Sequence, residues 1–430
     1  ILLDAQGRPY IPATAIAGVL RHRFLAANPI SDEKDKQYDI WVKHVEAFWG
    51  SLSSNDGRGS LLSFYDASIC VDDYIIGFRD GIRIDSVTGL VKAGAKYNYQ
   101  IIEPGAKFRF ECRLRYQNEH EQTQGQEVLS QIHTLLKNGD IAFGAKNNNG
   151  MGCIKFIESQ CFHIDFTQPE QVKSWLCRDT NNIFLNQNTL KKIDLGNRDL
   201  PEPSIFEIEI LAHLQSALMV RSAPTGLNAI RLPDDMMLQS GSASVLPGSS
   251  LKGALRTRAE KILNTLNENK GLNLLHQLFG NADDNNLSER AVKGKLKVTE
   301  TQLKNDVGLR QQSRIKIDRF TGGTIDSALF QTMPIFALKH DKKKEHLILN
   351  IQVQRCTPAE AGLVFLLLKD PGTGDLALGG EKNIGRGRLQ GLEARIKWPG
   401  ILSSEISFKH PSDLTENQRS QIESWVQALT

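Results

Sequence analysis

Two pairs of side chains in this sequence have the types and spacing for phosphate chemistry. Asp234 and Asp235 are adjacent carboxylates after Pro233. Beside a bound phosphate, such a pair can hold a divalent cation. A solvated acidic turn is the alternative reading. Lys252 and Arg256 are i,i+4 neighbours in Leu246-Pro-Gly-Ser-Ser-Leu-Lys-Gly-Ala-Leu-Arg-Thr-Arg258. There Ser249 or Ser250 is expected to cap a helix whose free N–H groups and positive dipole end suit a phosphate. A capped helix with a solvated basic face, Arg258 included, is the alternative. The run is not a Walker motif, because Gly-x-x-x-x-Gly-Lys-Ser/Thr is absent. The histidines show neither His-Glu-x-x-His nor triad spacing.

A second candidate is the glycine loop Gly379-Gly-Glu-Lys-Asn-Ile-Gly-Arg-Gly-Arg388. Gly379, Gly385 and Gly387 let backbone approach a polyanion, and Lys382, Asn383, Arg386 and Arg388 supply donors and charge. A tight helix-to-strand turn needing positive φ is the alternative. Charge is concentrated nearby. Residues 293–319, which include Arg319, hold eight Lys/Arg against three acids, a net of +5; residues 382–397 hold five against one, a net of +4. On a chain whose net charge is only +3, such stripes suit an RNA backbone track, with solvated surface as the alternative.

The elements that position these residues occur twice. Pro12-Ala-Thr-Ala-Ile-Ala-Gly-Val-Leu-Arg-His-Arg23 repeats as Pro247–Arg258 at an offset of 235. Arg83-Ile-Asp-Ser-Val-Thr-Gly89 repeats as Lys316–Gly322 at 233, and Gly144, Gly150 and Gly152 repeat as Gly379, Gly385 and Gly387 at 235. Three matches in one order at nearly one offset indicate a tandem duplication. In the first copy Lys252 becomes Ala17, leaving Arg21 and Arg23, while Lys146, Asn147 and Gly150 stand in the first glycine loop. The fold expected is α+β: two tandem RRM-like (ferredoxin-like) domains. The first covers 1–179, an Asn-rich linker ending in Pro-Glu-Pro covers 180–203, and the second covers 204–430 with a helical tail. The second unit reads β-α-β-β-α-β: Ile205–Leu218, helix 249–268, Lys295–Thr301, Leu347–Val353, helix Pro358–Lys369 and Arg388–Trp398. The first gives a Phe108–Tyr116 strand, a Gln126–Lys137 helix and a Cys153–Ile157 strand. About 30 residues matching the second unit's first strand and loop do not precede Pro12. Each unit carries a long hairpin, with Asp85 and Asp318 read as turn residues.

The 430 residues, 40% hydrophobic and 23% charged, exclude wholesale disorder. No apolar run is long enough to span a membrane, and Ile1-Leu2-Leu3-Asp4 is no signal peptide. With no initiator Met, the chain is expected to begin inside the natural one. Six Cys without a Cys-x-x-Cys pair read as reduced, mostly buried thiols of a cytoplasmic protein. The aromatic RNP signature is absent, which argues against stacking on the sheet face.

Together Pro247–Arg256, Ile317-Asp-Arg-Phe-Thr-Gly322 and the loop at 379–387 resemble the RAMP superfamily of CRISPR-associated proteins, over nearly the whole chain. The nearest likeness is to the backbone subunit of type III effector complexes, in the double-length form of type III-D-like systems. That resemblance implies β-hairpin thumbs at Gly81–Ile102 and Ser313–Ala337 that wedge into guide CRISPR RNA. It implies a grip on guide phosphates by helix 249–258 and the glycine loops, and partnership with other effector subunits. It further implies cleavage of single-stranded target RNA supported by an Asp in the loop Met219–Leu246, with Mg or Mn; Asp234 and Asp235 both match. A non-catalytic scaffold, or a metal-independent guide-processing endoribonuclease, is the alternative.

Overall fold

Alternation over Ile205–Leu214 puts Phe206, Ile208, Ile210 and Ala212 on one face and Glu207 and Glu209 on the other. That strand is the centre of a five-stranded antiparallel sheet. Its order is Leu296–Val298, Leu347–Gln354, Ile205–Leu214, Leu389–Lys397, Ile406–Phe408. Numbering the first four by chain order gives 2-3-1-4, the ferredoxin-like arrangement expected. Helices Gly248–Leu266 and Pro358–Thr373 cover the apolar face through Leu251, Leu255, Ala259, Leu363, Val364 and Leu367. The second helix begins with a Thr357–Glu360 capping box and Pro at its first turn. The tail helix Glu416–Gln427 closes this core with Ile422 and Trp425.

This computed structural model describes residues 1–27, 36–51, 57–85, 88–139, 141–177, 190–200, 204–223, 233–266, 268–281, 292–338 and 344–429. Most of the expected 180–203 linker, and the middle of the 219–246 loop, therefore lie outside the described residues. The part of the linker at 190–200 belongs to the first unit. Its Lys191–Ile193 strand pairs with Cys161–His163, and Leu200 is buried in the first core.

The first unit is built chiefly from helices. Ile16, Leu20 and Phe24 of Ala13–Ala26, Val45 and Phe48 of Lys36–Trp49, and Val128, Ile132 and Leu135 of Glu119–Asn138 form its core. Its sheets are small: Tyr10–Ile11 with Ala67–Ile69 and Phe108–Arg109, and Leu62–Phe64 with Cys112–Leu114. The strand expected at Cys153–Ile157 is reduced to one bridge, Ala142 to Cys153. In the second unit its counterpart pairs with Ile205–Leu214. No equivalent of that central strand occurs among the first unit's described residues, so the backbone lacks a ladder to join.

Both thumbs form as antiparallel hairpins: Ile76–Gly81 with Tyr97–Ile102, and Gln312–Ile317 with Thr324–Met333. Near the second tip, Asp318 Oδ1 accepts from the backbone N–H of Phe320 (2.9 Å) and Thr321 (2.8 Å). Asp85 Oδ1 accepts from that of Thr88 (2.7 Å). Both aspartates are Asx-turn residues, as their sequence context indicated. The expectation of mostly buried thiols is corrected. All six cysteines are free, Cys70, Cys153 and Cys177 are exposed, and the others are half-buried. Among the described residues no helix is long and apolar enough to cross a membrane.

Candidate nucleic-acid interface

The sheet's open face is polar and carries charges of both signs. Glu207 accepts from Asn350 (2.7 Å) and Gln352 (2.9 Å), and Glu209 from Asn350 (3.0 Å). Lys397 and Arg395 lie directly across from Glu207 and Glu209, so charges of both signs alternate over this face. Candidate contacts are left to the seat helix, the glycine loops and the thumbs.

The seat helix begins at Gly248, so Ser249 and Ser250 stand inside its first turn rather than capping it; Leu251 N–H already reaches Pro247 O. Lys252 is half-buried and Nζ donates to Leu296 O at 2.9 Å. Arg256 donates to Gly280 O at 2.8 Å. Burial, then the charges of Arg256 and Lys293, push the Lys252 ammonium from 10.5 down to about 8. Arg256 is likewise lowered by burial and by Arg83 of the first thumb, against the pull of Glu260. Arg83 of the first unit thus adds to the positive potential at this helix, and Glu260 opposes it. Between Lys252 and Arg256, Gly253 is exposed, and a Cβ there would meet nothing within 4 Å; its copy Gly18 is equally open. Arg258, by contrast, is neutralised by Asp370 at 2.5 Å.

The glycine loops divide the same way. Each forms a 3-10 turn, Asn147–Asn149 and Lys382–Ile384, between left-handed residues. A Cβ on Gly152 would run into Phe143 O, on Gly387 into Leu378 O and on Gly379 into Met219 O. Those glycines serve tight packing. Gly385 has φ +86° with open space around it, and Lys382, Asn383 and Arg388 beside it are exposed. Arg386 is only 5% exposed. It pairs with Glu381 and donates to Gln312 and Thr332, so it ties the loop to the thumb base rather than facing solvent. Gly150 is a docking residue too. Its Cβ would strike Glu300 N, and a Cβ on Gly248 would strike Asn149 O, so the first loop lies directly on the second unit. Asn148 donates to Gly294 O at 2.7 Å across that seam, while Asn147 turns inward to Ala142 O.

Sequence reasoning missed the residues that hold the second site together. Glu381 receives Arg386, Arg314 and Arg221, the last at 3.3 Å. Burial pushes its carboxyl up, but the Arg314 hydrogen bond and the surrounding guanidinium charges outweigh this and hold it low. The signal was present: glutamate stands where the first copy has Lys146. Arg221 also reaches Asp235 at 3.4 Å. Asp234 accepts from the Gln331 N–H at 2.8 Å. Asp235–Met237 is a short strand running parallel to the thumb, not a flexible loop. Both carboxylates are thus at the thumb base beside the arginines, but one is held by an N–H and the other by a guanidinium. Among the described residues no three His, Cys, Asp or Glu converge as for a metal. Asp234 and Asp235 supply two carboxylates, and a hard divalent cation completes its oxygen shell with waters and substrate phosphates.

In the first unit Arg21 approaches Glu46 at 3.9 Å and Arg23 is half-buried. Arg319 is exposed at the second thumb tip beside Phe320, which is 98% exposed.

The fold and site define a class: a duplicated α+β protein, its second unit with a ferredoxin-like sheet, carrying a β-hairpin thumb and a glycine loop in each unit. The family model for the RAMP superfamily matches residues 1–155 and 238–390, and the chain belongs to that superfamily. Membership places it among CRISPR-associated RNA-binding proteins. No curated protein matches it.

Proposed function

We propose that this chain is a guide-RNA-binding backbone subunit of a type III CRISPR effector complex, in which its two fused units bind successive stretches of the guide. One observation carries the reading: Lys252 and Arg256, one helical turn apart and both half-buried, flank the open backbone of the exposed Gly253. Bringing like charges out of water is unfavourable until an anion joins them, and a phosphate diester supplies it. The exposed thumbs Ile82, Ile84 and Leu90, and Ile317 and Phe320, are apolar in the way a wedge between bases requires. The absence of the aromatic RNP signature supports recognition of backbone rather than stacking on the sheet.

The test is RNA binding by Lys252→Ala with Arg256→Ala. Affinity should fall with little sequence preference, and the salt slope should flatten by about one unit per lost phosphate contact. Unchanged affinity and slope would overturn the reading.

Cleavage of target RNA is a second proposal, favoured by the position of Asp234 and Asp235 beside Arg221 and Arg314. In it the guanidinium groups hold the scissile phosphate, and Asp235, released from Arg221, orients the attacking 2′-hydroxyl. A bound Mg or Mn would add charge stabilisation, with ligands from the RNA as well as this chain.

A further inference from the structure

Two histidines are buried against each other in the second unit, and neither phosphate binding nor cleavage uses them. His213 stands near the end of the central strand Ile205–Leu214, and His346 directly precedes Leu347–Gln354. They are 6% and 2% exposed, and their ring centroids lie 4.5 Å apart with planes at 31°. The hydrogen bonds fix which nitrogens carry protons. His213 Nδ1 meets Lys344 O at 3.2 Å, and a carbonyl only accepts, so this nitrogen holds a proton and donates. His346 Nδ1 accepts from the Leu214 N–H at 3.1 Å, so this nitrogen is bare. A neutral imidazole thus stands in for a backbone carbonyl at the end of the ladder, beside the bond from His346 N–H to Ala212 O at 2.8 Å.

Protonating His346 at Nδ1 would remove that acceptor and turn a second N–H against the Leu214 N–H. The new charge would lie against His213. Lys344 opposes it, while Asp306 and Glu345 favour it. Lys344 and Asp306 are paired with each other at 2.7 Å. Lys304 meets His346 through its backbone N–H, 2.8 Å from His346 O, and across the sheet His213 is opposite the uncharged Gln390. Burial, then the neighbouring His213, hold His346 below its ordinary 6.5.

The residues just past Leu214 carry both parts of the second site. Ala217 O accepts from Gly387 N–H at 2.7 Å and Met219 O from Gly380 N–H at 2.6 Å, so this segment holds the glycine loop near both ends. Leu218 exchanges backbone bonds of 2.9 Å and 3.0 Å with Ile335, two residues past the thumb strand Thr324–Met333.

We infer that His213 and His346 form a proton-operated lock: neutral, His346 pins the end of the central strand, and protonated, it releases Leu214 and loosens the glycine loop and thumb base together. Because the locked ring resists protonation, the lock is complete above about 6.5 and weakens as pH falls below it, where the released chain binds the proton more readily.

The test is hydrogen exchange on the full chain without RNA, corrected for intrinsic exchange, from about pH 7.5 to about pH 5.5. Opening of 214–219 and 380–387 should rise by about tenfold, the change for one unit below the ordinary histidine value. The helix Pro358–Thr373 should keep its protection. His346→Asn places a non-titrating amide oxygen where Nδ1 stood, so it should keep the Leu214 bond and show no rise. His213→Phe should shrink the rise, because His346 then takes its proton without a cationic neighbour. Equal protection of 214–219 at both ends of the range in wild type would overturn the lock. So would a rise in His346→Asn equal to that of wild type. Should that variant fail to fold, an undiminished rise in His213→Phe overturns the pairing of the two rings.

Discussion

Lys146 and Glu381 occupy the same left-handed position, φ +60° and +59°, in two copies of one glycine loop 235 residues apart, and they present opposite charges to their thumbs. Lys146 meets two tyrosines, while Glu381 gathers three arginines. The duplication kept the backbone device that aims a side chain at the hairpin base and changed the chemistry it delivers.

Glu381→Gln should loosen the second thumb. Removing one partner of a buried pair costs about 3–5 kcal/mol, and both Glu381 and Arg386 side chains are nearly buried. The folded carboxyl is held low, so its contribution is present above the ordinary glutamate range and lost as pH falls through the folded value. Denaturant melts at descending pH should show a steeper acid loss for wild type than for the variant. Equal slopes would mean the guanidinium contacts carry no linkage.

Lys252 predicts two opposite pH trends. Its folded value of about 8 lies below the ordinary 10.5, so between them the unfolded chain binds more protons and the RNA-free fold gains stability as pH rises. RNA phosphate favours the charged ammonium, so affinity should fall as pH climbs past about 8. Lys252→Arg should abolish the second trend in filter-binding titrations.

Gly253→Ala separates stability from binding. The site is helical and open, so alanine should stabilise the fold by about 0.5–1 kcal/mol. The added methyl occupies the surface where phosphate would approach, so RNA affinity should drop. A variant that gains stability with unchanged affinity would place the RNA elsewhere.

Gly248→Ala should part the units. Its Cβ meets Asn149 O of the first loop and Val298 O. Hydrogen exchange should rise at 294–300 and at 147–150 while the helical core of Ile16, Leu20 and Val128 stays protected. Uniform loss of protection would show that the seam and that core melt together.

Trimming Thr321–Leu329 should leave the second unit folded, because most of that segment is exposed. Chemical probing of bound RNA should then lose the base displacement assigned to the second thumb.

The sequence by itself determined the duplication, the two hairpins and the second unit's sheet. These are local: period-two alternation in Ile205–Leu214, Thr357-Pro358 opening a helix, and Asp-x-x-Thr-Gly turns need only neighbours to be read. It also located the seat helix and both glycine loops. What it could not distinguish was which cations face solvent. Arg386 and Arg388 stand two apart, yet one is bonded to Glu381 and the other is exposed. That difference depends on where the thumb strand crosses the loop, a contact between residues more than sixty positions apart. The seam is the same kind of fact. Gly150 lies on Glu300, and Arg79 reaches Gln239. Only packing of one unit on the other brings such groups together, because their spacing in the chain carries no period that a sequence pattern can register.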